Sequence, residues 1–150
     1  MKWVLTSLLA LMVAACAPAE VAPPTYVLQD RIPVTYVWDS TIPGEAQARW
    51  SIRKPPTIAI HPTKFLRQPP AVQHFIILHE LAHLDFVLRG VGQSELAADC
   101  QAVVWMREKS MMSSSGLAEV IWFLQNLGPS DVHPPGVERA NNALSCLLEN

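Results

Sequence analysis

A chain of 150 residues has the length of one domain, and half of its residues are hydrophobic, enough to bury a compact core. The formal net charge of -2 comes without any basic stripe, which argues against a nucleic-acid partner. The thirteen prolines fall in the connections between the expected elements.

Residues 1–15 read as a targeting segment. Lys2 supplies a positive start, and residues 4–13 form an apolar stretch too short to span a bilayer comfortably. Val13-Ala14-Ala15-Cys16 resembles a bacterial lipobox, which implies that Cys16 is lipidated and becomes the mature N-terminus. An ordinary secretory leader cut near Ala17 or Ala19, with Cys16 discarded, is the alternative. Ala17 after the cysteine, with no aspartate there, resembles lipoproteins sorted onward to an outer membrane, in a Gram-negative host. The implied location is the bacterial envelope, on the periplasmic face of that membrane. Residues 17–29 carry Pro18, Pro23 and Pro24 without periodicity and read as a tether. The expected organisation is a leader at 1–15, a tether at 16–30 and a domain over 31–150.

Within that domain, residues 32–38 alternate Val34, Tyr36 and Trp38 against Thr35 and Val37 and predict a strand. Residues 45–52, after the Pro43-Gly44 turn, read as a short helix or an irregular segment. Thr57-Ile58-Ala59-Ile60-His61 predicts a second strand, and prolines at both of its ends suit a sheet edge. Pro69-Pro70 then opens a long helix over 71–88, closed by Gly90 and Gly92. Ser94 is the expected N-cap of a helix over 95–109; further helices are predicted over 117–127 and 137–149. The fold class is a small, mostly helical α+β domain with a two- or three-stranded sheet. Cys100 and Cys146 lie on two of these helices, and a disulfide or two buried thiols fit the sequence equally well.

The long helix contains His79-Glu80-Leu81-Ala82-His83. Histidines four residues apart leave a helix from one face, one turn apart, and can reach one tetrahedral zinc. Glu80 would then lie beside the metal's open position, placed to take a proton from a bound water. Phe75, Ile76, Ile77, Leu78, Leu81, Leu84 and Phe86 make the helix apolar nearly all round. Burying two histidines and a glutamate there without partners would cost several kcal/mol, and a metal satisfies them more economically than a hydrogen-bonded core cluster. A catalytic zinc takes three protein ligands, and Glu95-Leu96-Ala97-Ala98-Asp99 offers two acids on one helical face. Taken alone, that pair would read as solvated carboxylates at a helix N-terminus.

His79–His83 followed by Glu95-Leu96-Ala97-Ala98-Asp99 resembles the gluzincin metallopeptidases. The likeness is to the E-x-x-A-D form of the HtpX-like and CAAX-prenyl-protease-like branch and its single-domain minigluzincin relatives. The resemblance implies a zincin-like domain with one Zn2+ per chain, Glu95 as third ligand and Asp99 orienting a ligand histidine. It extends to His133-Pro134-Pro135-Gly136-Val137-Glu138-Arg139, where His133 and Arg139 would lie at the substrate cleft and serve the developing oxyanion. It covers residues 68–139. The short interval from His83 to Glu95 keeps Asp99 open as the alternative ligand.

The implied activity is that of a zinc metalloendopeptidase acting on a protein or peptide, with Glu80 as general base. A substrate strand would add to 57–61 as a sheet edge. A non-catalytic lipoprotein using the same zinc site as a scaffold is the alternative. Beyond the leader no run reads as membrane-spanning, so integral-membrane substrates do not carry over. His61 reads as an exposed loop residue, His74 as turned away from the metal face and Asp85 as solvated or capping. Trp50, Trp105 and Trp122 read as packing residues.

Overall fold

The computed structural model describes residues 33–128 and 133–149, so the expected leader, Cys16 and the tether lie outside the described residues. The elements run β1 (Thr35–Trp38), β2 (Ala46–Ser51), β3 (Lys54–Ile60), α1 (Pro62–Leu66), α2 (Pro70–Leu88), α3 (Glu95–Glu108), α4 (Ser114–Gln125) and α5 (Gly136–Glu149). The fold is α+β with a three-stranded sheet, as the pattern of elements led us to expect.

The sheet departs from expectation in two places. Its order is β1-β3-β2, so the strand containing residues 57–60 is central and is not an edge. β3 runs parallel to β1, with Thr35 opposite Thr57 and Trp38 opposite Ile60, and antiparallel to β2, with Ala46 opposite Ile60. Pro55 and Pro56 sit ahead of the Thr35–Thr57 pair, where a missing N–H breaks no bond to β1. The unbroken buried run Ile58-Ala59-Ile60 was the better signal, since a strand with neighbours on both sides is apolar on both faces. Residues 46–51, read as a helix or an irregular segment, form strand β2. Half-buried Ala46 and Ala48 alternate there with exposed Gln47 and Arg49, a period of two.

α2 lies at the centre. Val72, Phe75, Ile77, Leu78, Leu81 and Leu84 are all but fully buried, because the sheet, α3 and α4 cover the helix on different sides. Though long and apolar enough to cross a membrane, α2 is a core helix by this packing. It ends in a Schellman turn. Val91 N–H donates to Phe86 O and Gly90 N–H to Val87 O, with Gly90 at φ 65°, a conformation that favours glycine. Asp85, expected to be solvated or capping, is buried and paired with Arg89 one turn on. His61 is half-buried, not an exposed loop residue; its Nδ1 accepts from Lys64 N–H and caps α1, a helix the sequence reading did not anticipate.

α3 and α5 are joined by a Cys100–Cys146 disulfide with Cα atoms 5.5 Å apart, which settles the choice left open above. At the start of α5, a Cβ on Gly136 would fall 2.2 Å from Leu124 O and 2.5 Å from Leu127 O. Only glycine lets α5 begin against the end of α4, and this sets where Arg139 enters the interior. Trp105 packs against the core as expected, whereas Trp50 and Trp122 are exposed.

Candidate metal centre

α2 presents His79 and His83 one turn apart, with their Nε2 atoms 3.1 Å from each other. The turn after α2 returns the chain so that the first residue of α3, Glu95, faces both rings. Its Oε2 lies 3.3 Å from His79 Nε2, and its Oε1 lies 3.3 Å from His83 Nε2. Two atoms each about 2.0–2.1 Å from one tetrahedral ion are roughly 3.3–3.4 Å apart. The two nitrogens, and each nitrogen with the carboxylate oxygen it meets, are close to that spacing, His79 meeting Oε2 and His83 meeting Oε1 of Glu95. His79, His83 and Glu95 therefore form a group that can bind a metal ion. His74 is not part of it.

Buried polar atoms supply an independent test of fit. Glu95 Oε2 and the Nδ1 atoms of His79 and His83 are buried without a well-aligned hydrogen bond. A charged acceptor left so costs more than the ~1–3 kcal/mol of a neutral one, and a cation in the triangle would satisfy it. Histidine nitrogens with one carboxylate are also the donor set of open, catalytic zinc sites.

Asp99 lies one turn further along α3, and it is not in the triangle. It is wholly buried, with Oδ1 2.9 Å from His79 Nδ1, on the ring's far side from Nε2. That separation is short, but the approach is off the hydrogen-bond direction, and the pair is a charge contact. Arg139 from α5 grips the same carboxylate with two bonds, Nε to Oδ2 at 2.7 Å and NH2 to Oδ1 at 2.8 Å. Its NH2 also stands 3.4 Å from Glu95 Oε2, and His133 Nε2 stands 3.6 Å from that oxygen. Arg139 is buried and bound chiefly to Asp99, a partner the sequence reading did not give it. His133 is half-buried at the cleft wall.

These charges shift one another. Burial alone would lower the pKa of His79, but Asp99 and Glu95 outweigh it and raise it to about 9. Burial would raise Glu95, yet His79 and His83 hold it far below the usual carboxylate range. Asp99 is likewise lowered by Arg139 and His79 against its burial, and Arg139 is raised by Asp99 against its own.

The triangle opens on a cleft of about 450 Å³, walled by β2, α2, Phe123, His133 and Arg139. Glu80 lines it too, and its Oε2 accepts a hydrogen bond from Ala48 N–H of β2. That donor follows from the ladder. His61 N–H donates to Glu45 O, so the main-chain groups of 45, 47 and 49 point toward β3, and those of Ala46 and Ala48 point away. β2 is thus the edge strand over the site, which the sequence reading missed; the Ala46–Arg49 alternation could have found it. Compared with known families, curated proteins and solved structures, the chain matches none.

Proposed function

We propose that this protein is a zinc-dependent metallopeptidase of the bacterial envelope, tethered by a lipid on Cys16. The observation that carries the reading is the triangle of His79, His83 and Glu95 with the Glu80 carboxylate on its cleft side. A purely structural metal site has no use for a carboxylate there. Zinc held by these three residues would polarise a scissile carbonyl and make a water acidic near neutral pH.

The chain's own groups account for the rest. Glu80 takes the proton of the attacking water and returns it to the leaving amine. Asp99 faces His79 Nδ1 and so favours the tautomer that leaves Nε2 free as a ligand, while Arg139 holds Asp99 in place. This makes Arg139 a positioning residue and leaves His133 as the cleft-side donor to the developing oxyanion. A peptide substrate adds to the outer edge of β2, through the main-chain groups of Ala46 and the carbonyl of Ala48, whose N–H is taken by Glu80, and not to the central strand β3. Main-chain pairing of this kind suits extended or unfolded protein segments with modest side-chain selectivity.

The test is direct. Protein purified without chelator should hold one zinc per chain and cleave an unstructured protein, and Glu80→Gln should keep the zinc and lose cleavage. Zinc without cleavage by the unaltered chain would favour the scaffold reading; cleavage surviving Glu80→Gln would sink the mechanism.

A further inference from the structure

The β2–β3 hairpin ends in a two-residue turn, Ile52-Arg53, closed by the Ser51–Lys54 pair. Ile52 is 94% exposed and Trp50, two residues before it, 43%. Turn chemistry asks for Gly, Asn, Asp, Pro or Ser, so a β-branched apolar residue at the apex serves no purpose in the fold. A single exposed apolar residue would be unremarked, but this one sits with an exposed tryptophan and with exposed Arg53 and Lys54. Arg49, nearby, is already paired with Asp39. No acidic residue occurs in the sequence between Glu45 and Glu80, so the hairpin itself carries none to offset these cations.

The register adds a second, independent observation. β1 is parallel to β3 with Thr35 opposite Thr57, so the chain before Pro33 joins the sheet at the hairpin's end. Any attachment made through the preceding residues therefore approaches the fold at the pole that carries Trp50, Ile52, Arg53 and Lys54. The metal cleft is at the other end of β2, where Ala46 pairs with Ile60. From Ala48 to Ile52 the strand rises roughly 13 Å.

We propose that this hairpin tip docks on an anionic lipid bilayer, with Trp50 and Ile52 in the interface and Arg53 and Lys54 against the headgroups. Tryptophan is favoured at that depth, and basic residues beside it add attraction to acidic lipids. Docking at the tip stands the cleft off the surface, facing material beside the membrane. The inference does not depend on the peptidase reading.

The experiment uses residues 16–150 with Cys16→Ser, which keeps every element of the fold and removes the lipid acceptor. At low salt this chain should sediment with phosphatidylglycerol vesicles and not with phosphatidylcholine vesicles. Arg53→Gln with Lys54→Gln should weaken that partition about thirtyfold, at the usual contribution of a basic residue near an acidic surface. Leu148→Ser, an exposed apolar residue on α5, should leave it unchanged. A polarity-sensitive dye on Ile52→Cys, the sole free thiol beside the disulfide, should shift blue with the acidic vesicles, and one on Val137→Cys should not. No binding, equal binding to both lipids, or binding indifferent to the Gln pair would overturn the proposal, as would a dye response shared by both positions.

Discussion

The two ends of β2 sit in opposite surroundings. At its start, over the cleft, the buried acids of the centre each have opposite charges within about 4 Å: Glu95 against two histidines, Asp99 against His79 and Arg139. At its far end, cations and apolar side chains stand in solvent on a hairpin that carries no acid of its own. Charges in the first region are sheltered from solvent, so removing one partner leaves another buried and uncompensated. Charges in the second are screened, and their removal should matter only where a surface meets them. The first region is built to hold something inside the protein, the second to meet something outside it.

The largest effect should come from Glu80→Gln. Losing a general base costs about 10²–10⁴ in rate, while the three ligand residues are untouched. Proteolysis of an unfolded substrate and metal content, measured on the same preparation, would separate the two. Hairpin variants assayed on a soluble substrate should match the unaltered chain in both.

Next should come Asp99→Ala. It strands the guanidinium of Arg139 in the interior, and breaking a buried pair costs about 3–5 kcal/mol. Glu95, 3.4 Å away, is a second acid beside that guanidinium, which points to the lower end of the range. Arg139 would then compete with the metal for Glu95, and His79 would lose its charge partner, so metal affinity should drop about 10–100-fold. Denaturant unfolding with chelator reads the first effect and metal titration the second. If Asp99→Ala left both unchanged, the Arg139–Asp99–His79 line would have no part in the centre.

Much of this centre was legible because helices carry it. A spacing of four puts His79 and His83 on one face whatever surrounds them, and the same spacing set Glu95 and Asp99 apart by one turn. Which carboxylate faced the histidines rested on the resemblance, which implies Glu95; spacing alone left Asp99 open, since the answer depends on how α3 returns after Gly90. Arg139's partner was hidden for a similar reason: Gly136 sets where α5 enters, and only tertiary contact shows it. The sheet was read less well. Prolines at 55 and 56 suggested an edge, but strand order is decided by pairing far along the chain, and the buried run 58–60 outweighed them. Trp50 reads as a packing residue in the sequence and is exposed in the fold, because exposure has no signature in a single residue type.

A smaller effect concerns pH. His79 is raised to about 9 by its acidic neighbours when no metal competes for it. Its folded pKa lies above its ordinary 6.5, so its contribution to stability is full below pH 6.5 and is lost as pH rises through about 9. A metal takes the same nitrogen and must release that proton, so affinity should climb by up to about tenfold per pH unit toward 9 and level off beyond. The gap in Tm between zinc-loaded and chelator-treated protein should therefore widen from pH 6.5 to 9. A constant gap would mean that His79 carries no proton for the metal to displace.

The smallest effect should be that of the hairpin on the isolated protein. Ile52→Ser removes a side chain that is almost wholly in solvent, and exposed positions of this kind usually change stability by within about 0.5 kcal/mol. Its Tm, zinc content and cleavage of a soluble peptide should be those of the unaltered chain. With acidic vesicles present, the same substitution should lower the bound fraction. A variant silent in solution and altered only at a lipid surface would keep the two ends of β2 distinct. If Ile52→Ser instead lowered Tm by several degrees, the tip would be part of the folding core and the contrast between the two ends would collapse.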